Sequence, residues 1–300
     1  MELCVLGSGS AGNCSALRIN NKIILIDAGF GPRVTTKRLE LAGESIDNVA
    51  AIILTHLDSD HFNTNWYNTL IKQRIRLYCH ERHVKSLYRR PNPTPSANPR
   101  ALHKQNLLYH FDDQAFRLPL ETHPDHPTHT DRHPDRHPVI QPIRFAHDST
   151  GTCGFVIRNQ STRLGYATDL GRITNELIQA MTDVDLLAIE SNYDPTMQLT
   201  SDRPEALKHR IMNGAGHLAN HEALQAVRDI TDRSQRPPQH IVKLHLSRQC
   251  NDPAIVRRLY EPHPDLAPNL HISQQTEPTP WLPANKRPQP ITGQQLTMFA

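Results

Sequence analysis

The segment N-V-A-A-I-I-L, Asn48–Leu54, is almost wholly apolar and runs straight into T-H-L-D-S-D-H-F, Thr55–Phe62. A short unbroken apolar run is the pattern of a strand buried on both faces, as in layered α/β folds. Its far end then carries two histidines and two aspartates within six positions. Open α/β sheets place their sites at such ends, where side chains project past the last ladder hydrogen bond. His56, Asp58 and Asp60 alternate there, with His61 adjacent. Four such groups converging would repel or lose solvation unless a cation sat between them. Imidazole suits zinc, manganese and iron, whereas carboxylate suits harder ions. The competing reading is a polar loop capping a helix that starts near Phe62, with Asp60 as its N-cap.

The same pattern recurs along the chain. Strands are expected over Glu2–Leu6, Lys22–Asp27, Val49–Thr55, Arg76–Cys79, Ile140–Phe145, Gly154–Arg158, Arg163–Thr168, Leu186–Glu190, His240–Leu246 and Asn269–Ser273. Helices are expected over Pro32–Leu41, Phe62–Lys72, Glu81–Tyr88, Ile173–Met181, Pro204–Met212, His221–Thr231 and Pro253–Tyr260. Two groups of apolar strands interleaved with helices imply an α/β sandwich. Three more strands run into ligand-type residues: His147 in A-H-D-S, Asp169 in T-D-L-G and His245 in H-L-S. A single histidine after a strand is ordinarily a surface residue, but three further ligand types in this position favour a shared metal site.

Charge and cysteine content narrow the function classes. The chain of 300 residues has a net charge of +3 with histidine neutral. That excludes a histone-like cationic coat but leaves room for a local basic groove. Five scattered cysteines without a C-x-x-C pair imply a reducing, cytoplasmic setting. No signal peptide is apparent, and no window approaches the roughly 20 apolar residues of a membrane span. Five of the histidines fall in a His/Pro-rich insertion at about 119–138, which lacks apolar periodicity and reads as a solvated insertion outside the site.

Several stretches, taken in order, resemble the metallo-β-lactamase superfamily: L-G-S-G-S-A-G-N (Leu6–Asn13), I-L-I-D-A-G (Ile24–Gly29), T-H-L-D-S-D-H, His147, T-D-L-G and His245. I-E-S-N-Y-D (Ile189–Asp194), G-H-L-A-N (Gly216–Asn220) and L-H-L-S-R-Q-C-N (Leu244–Asn251) are similar to its YycJ/WalJ branch, viewed as DNA exonucleases of bacterial repair. The resemblance implies a four-layer αββα sandwich over residues 1–275 and two divalent metal ions (zinc, manganese or iron). It assigns His56, residue 58 and His147 to one ion, Asp60, His61 and His245 to the other, and Asp169 as the bridge. The family usually has histidine at position 58. Asp58 departs from that pattern, and its carboxylate favours manganese or iron over zinc, or else weakens the first site. Two such ions suit phosphodiester hydrolysis, with Asp60 orienting or deprotonating the attacking water. His217 is a candidate for phosphate contact or leaving-group protonation, against a plain role at the start of a helix. Ser8 and Asn13, in a small-residue loop able to offer N–H groups to phosphate, join Asn192 and Asn220 as candidate substrate contacts.

The tail, residues 276–300, reads as a Pro-rich flexible segment ending in G-Q-Q-L-T-M-F-A. Gln295, Leu296, Met298 and Phe299 resemble a peptide that binds the bacterial DNA sliding clamp; the alternative is that the tail docks on its own domain. The expected activity is therefore a dinuclear-metal DNA exonuclease tethered to the clamp. The alternatives are a hydrolase of small phosphodiesters and a non-catalytic repair adaptor with a degraded first site.

Overall fold

The computed structural model describes residues 1–90, 94, 96–121, 137–147 and 150–285. Two seven-stranded sheets dominate these residues. The first contains β1 (Glu2–Gly7), β2 (Cys14–Ile19), β3 (Lys22–Ile26), β4 (Val49–Ile53), β5 (Arg76–His80) and β6 (Leu108–Phe111), in that order, with β14 (Leu282–Pro283) outside β1. The second contains β7 (Phe116–Arg117), β8 (Val139–Phe145), β9 (Thr152–Asn159), β10 (Thr162–Ala167), β11 (Leu186–Glu190), β12 (His240–Leu244) and β13 (Leu270–Ile272), again neighbour to neighbour. Each sheet is antiparallel in one half and parallel in the other; β3 to β6 and β10 to β13 run parallel. Parallel neighbours present their C-terminal ends on one side, so one rim collects the residues that follow β4, β10, β11 and β12.

Alternation of side chains makes four layers. Leu3 and Val5 of β1, Ile24 and Ile26 of β3, and Ala51 and Ile53 of β4 meet Phe155, Ile157, Leu164, Ala188 and Val242 of the second sheet. The intervening residues face outward under helices: Cys4, Leu6, Ile23, Leu25 and Ile52 pack with Leu39, Trp66, Leu70 and Leu87. Leu187, Ile189 and Ile241 meet Leu177, Val227 and Val256 on the other side. Both faces of each sheet are thus apolar, as the unbroken runs require. The covering helices are α1 (Pro32–Leu41), α2 (Trp66–Gln73), α3 (Glu81–Arg89) and α4 (Pro99–Lys104) on the first sheet. α5 (Asn175–Ala180), α6 (Pro195–Thr200), α7 (Glu205–Met212), α8 (Asn220–Arg233) and α9 (Pro253–Tyr260) belong to the second half. No described helix is long and apolar enough to cross a membrane.

Three expectations change. Helix α2 starts at Trp66 rather than near Phe62, and Asn65 occupies its N-cap position, so Asp60 is not a helix cap. Residues 276–285 are not a free linker. Leu282 pairs with Leu3 and is buried, Trp281 donates Nε1–H to the Ala42 carbonyl at 2.8 Å, and the Arg18 guanidinium lies 4.2 Å from the Trp281 ring centre. The apolar pair Trp281–Leu282 gives that segment a reason to dock that the prolines around it conceal. The His-rich stretch at 122–136 and the peptide from Gln295 to Phe299 lie outside the described residues.

Candidate metal centre

The rim gathers the predicted residues one element at a time. β4 ends at Ile53 and hands over to Thr55 and His56, both buried. One ring nitrogen of each histidine is anchored. His56 Nδ1 lies 2.9 Å from Thr55 Oγ1 and 3.3 Å from Thr152 Oγ1. His61 Nδ1 lies 2.7 Å from Asp27 Oδ2, and His147 Nδ1 donates to the Gly216 carbonyl at 3.0 Å. His245 Nδ1 lies 3.2 Å from Glu190 Oε1. Anchoring one nitrogen fixes the ring and the tautomer and leaves the other nitrogen for a cation.

Asp27 and Asp169 both follow strands at positive φ, 62° and 55°, a turn that short carboxylate side chains tolerate. Asp27 is fully buried and accepts from Thr55 N–H at 2.8 Å and from the Thr55 hydroxyl. Burial pushes its carboxyl up, against the pull of His61 and Thr55. Asp169 sits centrally. Its Oδ2 is 2.9 Å from His61 Nε2, and its Oδ1 is 3.3 Å from His245 Nδ1 and 3.9 Å from His147 Nε2. Gly29 lets the loops close: a Cβ there would collide with the Asp60 carbonyl and the Asn13 nitrogen.

Donor atoms of His56, Asp58 and His147 fall within 4.8 Å of one another, as do those of Asp60, His61 and His245, and those of His56, His61 and Asp169. Asp58 is half exposed, with Oδ2 3.8 Å from His56 Nε2. All seven predicted ligands are therefore brought together, Asp58 included. Two observations fit them to divalent cations. Nε2 of His56 is buried with no hydrogen-bond partner, although burial and then the neighbouring His61 hold the ring well below its ordinary pKa and so neutral and able to ligate. Conversely, although burial lowers it, His245 is driven up to about 10 by Asp169, Asp60 and Glu190. So dense a group of carboxylates selects positive charge, whether proton or metal.

Two further residues at the site escaped sequence reasoning in the second half of the rim. Glu190 ends β11 with no exposure and accepts from His217 Nδ1 at 2.7 Å and from the Leu170 N–H at 2.7 Å, besides its contact with His245. Its place at the end of an apolar run was the available signal, the same one that marks Asp169. Arg203, between α6 and α7, gives no sequence signal. Its guanidinium donates to Gln249 Oε1 at 3.0 Å, Gln198 Oε1 at 3.2 Å and Ser247 Oγ at 3.2 Å, all uncharged acceptors. Arg203 lines a cleft of about 390 Å³ with Asp58, Asp60, His147, Asp169, Asn192, His217 and His245.

The candidate substrate contacts divide. Asn192 lines the cleft, and its amide donates to the His245 carbonyl at 2.8 Å. Ser8, Asn13 and Asn220 are buried and are not among the residues that line the cleft. Ser8 accepts the His245 N–H at 2.8 Å and donates to Asn13 Oδ1 at 2.7 Å; the Asn13 amide lies 3.0 Å from His61 Nε2. Asn220 is spent on Ser191 and Asn251. Within the small-residue loop the N–H groups of Ser8, Gly9, Ala11, Gly12 and Asn13 all have partners within the protein, and Ser10 is the loop residue that lines the cleft.

A four-layer αββα sandwich with a His/Asp cluster on its rim defines a class of metal-dependent hydrolase. The chain belongs to the beta-lactamase superfamily, whose domain model (Beta-lactamase superfamily domain) matches residues 22–241. It is 25% identical over 258 residues to Exodeoxyribonuclease YycJ of Bacillus anthracis, covering 86% of each chain. It is 23% identical over 249 residues to Exodeoxyribonuclease WalJ of Streptococcus pneumoniae serotype 2, covering 82% of each. The crystal structure of the metallo-beta-lactamase fold protein YhfI from Bacillus subtilis shares the fold, with a TM-score of 0.59 at 15% identity over 93% of this chain and 98% of that one.

Proposed function

We propose that this chain is a phosphodiesterase that removes nucleotides from DNA ends, an exodeoxyribonuclease of replication or repair that works with two divalent ions. The observation that carries the reading is the pair of donor sets, their histidines buried, that flank Asp169 and open on a cleft that also holds His217 and Arg203. The names of the YycJ and WalJ relatives point to DNA as the substrate. His56, Asp58 and His147 would hold one ion and Asp60, His61 and His245 the other, with Asp169 shared. When bound, such ions acidify water and neutralise charge on a phosphoryl group.

The chain's own residues supply the rest. Asp60 Oδ2, steadied 3.3 Å from His245 Nε2, orients the attacking water. Glu190 fixes Nδ1 of His217 and turns its other nitrogen to the leaving 3′ or 5′ oxygen, which it protonates. Arg203 is pre-organised by three neutral acceptors, and its charge is left for a nonbridging phosphate oxygen. Asn192 braces the His245 turn at the floor of the cleft. The Asp58 carboxylate tilts the first site toward manganese or iron.

The test sets end-labelled DNA beside bis-p-nitrophenyl phosphate. Release of nucleotides from DNA supports the reading; turnover of the small diester with every form of DNA untouched overturns it. We propose further that Gln295, Leu296, Met298 and Phe299 tether the enzyme to the sliding clamp, on the strength of their sequence pattern alone. Deleting residues 295–300 should abolish clamp pull-down while leaving activity on short oligonucleotides. Unchanged clamp binding would sink the tether.

A further inference from the structure

Between Asp60 and Asp112 the chain has nine Lys and Arg residues and a single acidic residue, Glu81. The whole protein carries only +3, so the remainder is net negative and the positive charge is concentrated in the layer formed by α2, α3 and α4. Within α3, Arg82, Lys85 and Arg89 recur at helical spacing and are exposed, while His83 and Leu87 face inward. α4 packs against α3 and adds exposed Arg100 and Lys104. Among the described residues, none of these five cations has a carboxylate partner within ion-pair distance. A solvated helix face usually mixes both signs; here Glu81, in the first turn of α3, is the single carboxylate of α3 and α4.

The face adjoins the metal centre. β5 runs parallel to β4, so α3 leaves the sheet on the same rim that delivers His56. Just past its end, Arg90 donates to the Phe62 carbonyl at 3.2 Å, beside the ligand loop. From Arg82 to Arg89 the stripe covers roughly 10 Å by helical rise. That matches about three phosphates of a stacked strand at ~3.4 Å per nucleotide.

We propose that the α3–α4 face binds the phosphate backbone of the DNA strand that leads into the metal cleft. The partner's identity rests on the nuclease reading, but the contact is read by binding rather than cleavage. The experiment measures fluorescence anisotropy of a hydrolysis-resistant, phosphorothioate single-stranded 30-mer with the full-length metal-loaded protein over a salt series. Each phosphate contact on a single strand contributes a salt slope of about 0.7, or about five-fold in affinity at 0.1 M salt. Lys85→Gln with Arg89→Gln should therefore flatten the slope by about 1.4 and weaken binding roughly 25-fold. A control pair on other faces, Lys37→Gln with Arg228→Gln, should leave both unchanged. Equal slopes for the α3 pair and the unmodified protein, equal loss in the control pair, or no binding by the unmodified protein would each overturn the proposal. If DNA is cleaved but the slopes agree, this face is wrong and the nuclease reading survives. If the slopes differ but no DNA is cleaved, the reverse holds.

Discussion

His217→Asn separates leaving-group protonation from metal binding. The imidazole is held through Nδ1 by a fully buried carboxylate at 2.7 Å, so its ring has one orientation and presents one nitrogen to the cleft. Its donor atoms group with those of Asp169, Glu190 and His245 rather than with either three-residue set assigned to an ion, so metal content in the variant tells a proton donor from a ligand. A positioned general acid contributes about 10²–10⁴-fold, so kcat on DNA should fall by that factor, about 2.7–5.5 kcal/mol of barrier. The alkoxide leaving DNA needs a proton, whereas p-nitrophenolate leaves readily without one. Turnover of bis-p-nitrophenyl phosphate should therefore fall less than ten-fold, with metal content unchanged. Steady-state kinetics on both substrates and elemental analysis decide the matter. Equal losses on the two substrates at full metal content would refute the general-acid role, and a loss of metal would reassign His217 to the ligand set.

The other expectations follow from individual contacts. Asp58→His should shift bound metal toward zinc in elemental analysis after growth in mixed metals; unchanged content and activity would mark Asp58 as a bystander. Arg203→Ala should raise KM for DNA by about ten-fold or more, the worth of a charge-assisted phosphate contact of about 1.5–3 kcal/mol, with a smaller effect on kcat. Buried His83 is lowered to about 4, first by burial and then by the neighbouring His80, Arg82 and Arg90. Its folded pKa lies below the unfolded value near 6.5, so its contribution is complete above pH 6.5 and is lost as pH falls toward 4. That is about 2–3 kcal/mol after allowance for solvent screening. His83→Leu should flatten denaturation midpoints over that window; an unchanged pH profile would count against it. Leu282→Ala should cost about 2–4 kcal/mol in urea unfolding if the docked segment belongs to the core, and nothing if it is a loose tail.

The central strands were legible because both faces of each are buried, which leaves unbroken apolar runs such as Val49–Ile53 and Leu186–Glu190. The seven metal-type residues were legible for the same reason, since each follows such a run. β2 was missed because C-S-A-L-R-I mixes polar letters that are nonetheless buried, as Ser15 is against Tyr166. The edge strands β6, β7 and β14 are short and carry weak periodicity, and α4 and α6 hold only six residues each behind an opening proline. The partners of Ser8, Asn13 and Asn220 were not legible because a polar residue beside a site looks alike in sequence whether it meets substrate or braces a ligand. Hydrogen-bond partners decide that, and they come from distant segments: His245 for Ser8, His61 for Asn13 and Asn251 for Asn220. Arg203 depends likewise on Gln249 and Ser247, more than 40 positions away in sequence.

The most direct measurement incubates the metal-loaded protein with a linear labelled oligonucleotide and with a covalently closed circle of the same sequence. The account predicts mononucleotides released from the linear strand, an intact circle, and loss of the reaction on chelation with recovery on added manganese. A linear strand left whole under conditions where bis-p-nitrophenyl phosphate is turned over would contradict it.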